Sequence, residues 1–253
     1  SRLFGVLKPD VLAPGVDVLA AVASPEGSTA PEFGRLSGTS MSGPHGAGAA
    51  ALVLAARPEW TVAEVQSALM TTAITSTVRK QDGLTPADPF DRGAGRISVD
   101  RAVAAGLVLD ATAEEMDAAD PLKGGDVRQV NLASLTDPWC LGSCGWTRVV
   151  SGTLDRAMEW KVEVQPDGGA EALAIQVVPD HFRVAPGRRQ RFEVTAVVEG
   201  LAPEAWRFPT LVLTPADPSV PTAHMPMAIR PVIADIAPVH VAYAEDGTGR
   251  SVM

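Results

Sequence analysis

The stretch Gly38-Thr39-Ser40-Met41-Ser42-Gly43-Pro44-His45-Gly46-Ala47-Gly48, continued by Ala49-Ala50-Ala51-Leu52-Val53-Leu54, decides how the rest of the 253 residues are read. A serine placed between a glycine turn and the start of a helix lies where backbone N–H groups point outward unpaired and the helix dipole favours negative charge. Such a place suits an attacking alkoxide. The glycines on either side let the chain turn sharply and let a reacting carbonyl approach the backbone. The small residues that follow let this helix pack closely against neighbours.

At these residues the chain resembles the subtilisin-like serine peptidases (subtilases), whose nucleophile segment reads Gly-Thr-Ser-Met-Ala-x-Pro-His. Ser42 stands where that pattern has Ala, a small-for-small change. The flanks also resemble the family: Lys8-Pro9-Asp10-Val11-Leu12-Ala13-Pro14-Gly15-Val16 leads in, Leu36-Ser37 precedes the turn, and Pro89-Phe90-Asp91-Arg92-Gly93-Ala94-Gly95 looks like the end of a catalytic domain of the plant type. The resemblance implies Ser40 as the catalytic nucleophile, its N–H as one oxyanion donor, and Gly38, Thr39 and Met41 as the nucleophile turn. It also implies a protein or peptide substrate and a secreted or extracellular location. In the family the general base His, the Asp that orients it and an amide donor, usually Asn, precede the Lys-Pro-Asp segment. The expectation is therefore a fragment that lacks all three, is inactive alone, and needs the upstream part of the catalytic domain as a partner.

The four histidines offer no obvious replacement. His45 follows Ser40 by five residues, about 140° round a helix and roughly 7.5 Å along it, so a structural role is expected. His181, His224 and His240 fall in strand-like sequence and read as surface or packing residues. Two other readings compete with this one. A non-catalytic β-sandwich interaction module with a remnant peptidase segment would account for the missing partners. A hydrolase with a Gly-x-Ser-x-Gly elbow is disfavoured because the fifth position is Ser42 and the downstream histidines do not lie in βα loops.

The net charge of −9 and a pI of about 4.9 oppose binding to phosphate backbones, so nucleic acid is not an expected partner. No apolar run reaches the roughly 18 residues needed to span a bilayer, so no membrane partner is expected either. With 46% hydrophobic residues the chain can bury a core. The two cysteines, Cys140 and Cys144, can close a small disulfide in an oxidising compartment or remain free thiols. A four-ligand zinc site would need two more ligands that nothing nearby offers.

Four regions are expected. Residues 1–109 read as the C-terminal part of an α/β, parallel-sheet catalytic domain. Within it, residues 11–23 alternate like a strand and residues 24–34 read as a surface loop. A helix runs to Ala56, and a second opens at a Thr61/Glu64 capping box with Val62, Val65, Leu69 and Met70 as its apolar stripe. A short helix ends at Gly106. Residues 110–126 carry Glu114, Glu115, Asp117, Asp120 and Asp126 and read as an acidic linker. Exported subtilases often bind calcium, but no interleaved ligand loop is visible here, so no cofactor is assigned. Residues 127–235 hold about seven short strands between Pro, Gly and Asp turns, an all-β antiparallel sandwich, and their order resembles the fibronectin type III-like domain that follows some subtilase catalytic domains. Trp139, Trp146, Trp160 and Trp206 read as core or interface residues. No role is assigned to residues 236–253.

Overall fold

The computed structural model describes residues 5–24, 27, 30–167, 173–233, 241–242 and 250–251. The chain begins with an antiparallel hairpin of β1 (Val18–Val22) and β2 (Glu32–Leu36), in which Val18 faces Leu36 and Val22 faces Glu32. The expected loop is thus shorter than its composition suggests, because Glu32 to Leu36 finds a partner in β1. Next come α1 (Thr39–Ala56) and α2 (Val62–Thr71), then the short helices α3 (Pro89–Arg92) and α4 (Val99–Val103). The loop between α2 and α3 is pinned by Lys80, which pairs with Asp88 at 2.7 Å and Asp91 at 2.9 Å.

The second helix starts where the capping box predicts. Thr61 accepts from the Glu64 N–H while the Glu64 carboxylate accepts from the Thr61 N–H. Val65, Leu69 and Met70 are buried, whereas Val62 is 81% exposed. Being the first residue of the helix, Val62 lies beyond the edge of the packed face. The helix expected to end at Gly106, α4, stops at Val103 with Ala104 as its C-cap.

Strand β3 (Leu107–Val108) leads into the second half. The acidic stretch then forms α5 (Ala113–Ala118), capped by Thr112 and Glu115 in a second reciprocal box, with 3-10 turns at Pro121–Lys123 and Val127–Gln129. The stretch expected as an acidic linker thus carries a short helix and two 3-10 turns. Glu115 and Asp120 cap helical turns, Asp117 pairs with Lys123, and Asp126 pairs with Arg128.

Two sheets follow. One has the order β4 (Leu135–Leu141), β11 (Ala223–Val232), β10 (Thr210–Pro215), β6 (Met158–Gln165), β8 (His181–Val184); the other runs β3, β5 (Ser143–Gly152), β9 (Arg189–Val197), β7 (Ala174–Val178). Burial alternates along β5, β6 and β9, as expected of strands with one face inward. One core gathers side chains from both sheets, including Trp146, Phe192, Leu211 and Met225, and reaches Met70, Ala73 and Ala94 in the first half. The fold therefore mixes helices and sheets. It departs from the expected antiparallel pattern at one place, since β4 pairs with β11 in parallel, Met227 opposite Leu135. It departs in the first half too: among the described residues the expected parallel sheet is represented by the isolated Leu12 to Arg96 bridge. Strands β12 (Val241–Ala242) and β13 (Arg250–Ser251) pair with each other, and most of the expected tail, with His240, lies outside the described residues.

Arg148 holds the lower core together. Its fully buried guanidinium donates to the carbonyls of Leu132, Arg128, Thr147 and Ser134 at 2.7 to 3.0 Å. Burial alone pushes its pKa down to about 9. Four carbonyl dipoles around a delocalised cation argue that it stays charged nonetheless.

Candidate active site

Ser40 occupies the second position of α1 and is exposed. The N-cap is Gly38, so no side chain accepts from the first-turn N–H groups; Met41 and Ser42 donate to the Gly38 carbonyl at 3.1 and 3.3 Å. The Ser40 N–H, which precedes these two donors, lies at the positive end of the helix dipole. Gly38 has φ 154° and ψ 172°, a conformation that L side chains rarely adopt, which accounts for a glycine there. Farther along, Pro44 lies inside the helix and has no N–H to offer the Ser40 carbonyl.

The turn is fastened to the segment that precedes the β1–β2 hairpin. Gly38 N–H donates to Gly15 O at 2.7 Å, and the Ser42 hydroxyl donates to Ala13 O at 2.9 Å. A Cβ on Gly15 would sit 2.9 Å from Gly38 O and 3.1 Å from the Ser42 Cβ, so the close approach requires glycine. Sequence reasoning took Ser42 as an inert small residue and assigned nothing to Gly15 or Ala13. The signal was there in the hydroxyl that replaces a methyl, but its partner lies 29 positions back and spacing does not reveal it.

Thr39 opens the helix and is exposed, while Met41, next to Ser40, is half-buried. The other candidate residues lie apart. Cys140 and Cys144 are joined by a disulfide at the β4–β5 turn; Asp137 lies close beside it, bound to Arg128 at 2.8 Å. The histidines are engaged elsewhere: His45 Nδ1 bonds to Met41 O at 2.8 Å, His181 pairs with Glu159 at 3.1 Å, and His224 Nε2 bonds to Ala94 O at 2.8 Å. Burial holds the His224 imidazole below its ordinary pKa of 6.5, and the neighbouring Arg92 and Arg101 act in the same direction. Trp146 and Trp160 are buried in the core, and Trp206 meets Phe90 edge-on at 4.8 Å where the two halves join.

On α1 and the β1–β2 hairpin apolar side chains are open to solvent. Leu52 on α1 is 60% exposed, and Leu19 and Phe33 on the hairpin are 61% and 66% exposed. Two hollows of about 350 and 450 Å³ flank α1, one lined by Ala50, Leu54 and Leu69, the other by His45, Leu52 and Val99. Among the described residues no helix is long and apolar enough to cross a membrane.

Known proteins bear on this geometry. The subtilase family model matches residues 2–106. The chain is 32% identical over 235 residues to the subtilisin-like protease SBT1.7 of Arabidopsis thaliana, covering 78% of this chain and 30% of that protein. It is 44% identical over 122 residues to SBT1.3 of the same plant, covering 44% of this chain and 16% of the relative. The tomato (Solanum lycopersicum) protease SBT3 gives 40% over 124 residues, again 44% of this chain and 16% of the relative. The chain thus spans less than a third of the length of these relatives. Among solved structures, the Pseudomonas aeruginosa CupB2 chaperone covers 37% of this chain and 51% of its own at 17% identity and a TM-score of 0.30, a likeness too slight to bear on fold or activity. The match over residues 2–106, which contains the Gly38 to Met41 turn, and the plant relatives together support membership of the subtilase family for this part of the chain.

Proposed function

We propose that this chain supplies the nucleophile of a subtilisin-like serine endopeptidase. The observation that carries the reading is Ser40 itself, exposed in the uncapped first turn of α1 on a turn fastened through Gly15 and Ser42. Its hydroxyl passes a proton to a histidine as the oxygen attacks the scissile carbonyl. The N–H of Ser40 and a side-chain amide hold the oxyanion, an interaction whose loss typically costs about a hundredfold to a thousandfold in turnover. Collapse expels the amine, which takes the proton from the histidine, and water then releases the acyl group from Ser40.

The base, its orienting Asp and the amide donor come, in this reading, from polypeptide outside these residues. Two observations support that. The described histidines are bonded to Met41 O, Glu159 and Ala94 O. The apolar faces of α1 and the β1–β2 hairpin are open, as surfaces that receive a partner are. Alone the chain is then nearly inert, since loss of a triad member costs about ten-thousandfold to a millionfold. Protein is the substrate class, the two-sheet half is the fibronectin type III-like sandwich, and the location is extracellular, in keeping with the Cys140–Cys144 disulfide. The experiment is peptide hydrolysis by this chain joined to the polypeptide bearing Asp, His and Asn: turnover abolished by Ser40→Ala is expected. Equal turnover in that variant would overturn the reading in favour of an interaction module.

A further inference from the structure

The two halves of the chain meet through a hydrogen-bonded succession that ends at the nucleophile turn. His224, on β11 of the five-stranded sheet, bonds through Nε2 to Ala94 O, a partner 130 positions earlier. With a carbonyl as partner, Nε2 carries the proton. The Ala94 N–H in turn donates to Asp10 O at 2.8 Å, and the adjoining residues interlock, Leu12 N–H to Gly95 O at 2.7 Å and Ile97 N–H to Leu12 O at 2.9 Å. One and three residues beyond Leu12 the chain reaches the anchors already described, Ala13 O under the Ser42 hydroxyl and Gly15 O under the Gly38 N–H. Arg101 braces the same joint, donating through Nε to Thr72 O at 2.9 Å and reaching Thr222 O, near His224 in sequence, at 3.5 Å.

We propose that His224 is a positioning residue for the nucleophile turn: its bond to Ala94 O fixes residues 94–97 against residues 10–12 and thereby the loop that carries Gly38 and Ser40. The two-sheet half then sets the nucleophile's geometry as well as adding stability. The inference rests on the reading of Ser40 as nucleophile for its catalytic meaning but not for its physical content. From Ala94 to Ser42 by way of Gly95, Leu12 and Ala13 each step is a direct hydrogen bond or one residue of backbone, and the close Gly15 approach to Gly38 and Ser42 leaves little room for the turn to move independently.

Amide hydrogen exchange on the 253-residue chain tests it without any need for activity. His224→Leu keeps bulk and removes the donor; His224→Gln keeps a donor of similar reach. The leucine variant should exchange about tenfold faster at the amides of Ala94, Leu12 and Gly38, with Leu213 and Val162 in the strands unchanged, and glutamine should restore all three. Should the leucine variant not fold, His224→Asn, one methylene shorter, replaces it. Faster exchange confined to the neighbourhood of residue 224, or rising equally in every strand, would overturn the proposal. In the active polypeptide the same substitution should lower kcat severalfold at unchanged KM; a rise in KM alone would contradict it, whereas absence of turnover in the unsubstituted protein would instead sink the peptidase reading.

Discussion

The hydroxyl of Ser42 donates to the carbonyl of Ala13 across 2.9 Å, tying the first turn of α1 to the segment that precedes the β1–β2 hairpin. Together with the Gly38 N–H to Gly15 O bond it leaves the Ser40 turn held from both sides. Its position is thus determined by backbone that sequence places far away.

Gly15→Ala should loosen that grip. The added methyl would lie 2.9 Å from Gly38 O and 3.1 Å from the Ser42 Cβ, so backbone has to shift. Overpacking of this kind costs about 1 to 3 kcal/mol. Urea unfolding of the chain measures it, and a midpoint equal to the parent's would refute the contact. Ser42→Ala, which removes one hydrogen bond, should cost about 1 kcal/mol by the same measurement.

Arg148→Met should be far more damaging. It leaves the carbonyls of Leu132, Arg128, Thr147 and Ser134 without their donor, and each buried acceptor left unsatisfied costs about 1 to 3 kcal/mol. Arg148→Lys should recover little, because an ammonium lacks the planar fork. Thermal denaturation reads both, and a methionine variant as stable as the parent would show that the four bonds contribute nothing net.

His224 gives the chain an acid-side weakness. Its folded-state pKa lies below the ordinary 6.5, through burial first and then through Arg92 on α3 and Arg101 on α4, while the Ala94 and Thr71 carbonyls oppose them. As pH falls through about 6.5 the unfolded chain takes up a proton that the folded chain resists, so stability declines toward the depressed value and is intact above the unfolded one. Melting temperatures at about pH 7.5 and 5.5 should differ less in His224→Gln than in the parent. An identical decline in both would assign the acid sensitivity to another group.

Met41 follows Ser40 directly and is half-buried. Oxidation of its thioether to a sulfoxide adds a polar oxygen beside the attacking hydroxyl. Peroxide should therefore inactivate the assembled peptidase, and Met41→Leu should resist; loss of activity at the same rate in both would place the damage elsewhere.

Much of this architecture could be read from local pattern. The Thr61/Glu64 box marks a helix start because both halves of the signal lie within one turn, and the alternation in Trp160 to Val164 marks a strand for the same reason. The Thr112/Glu115 box was equally visible, yet the surrounding carboxylates suggested a solvated linker and hid α5. Relationships between distant segments left no such trace. Alternation does not say that β4 lies parallel to β11, and nothing near Arg148 announces a buried cation, since its acceptors are backbone carbonyls available to any residue. Within the candidate site, the Gly38-Thr39-Ser40 turn at the start of a helix was legible in the sequence, whereas the fastening at Ala13 and Gly15 and the His224 contact emerged only when the chain was folded.

The most direct test is a fluorophosphonate probe, followed by mass mapping of the labelled peptide. The chain should be labelled only when combined with the polypeptide that carries the Asp, His and Asn, the adduct should fall on Ser40, and Ser40→Ala should abolish it. An adduct on another residue, or none in a folded assembly of both parts, would contradict the assignment of Ser40 as nucleophile.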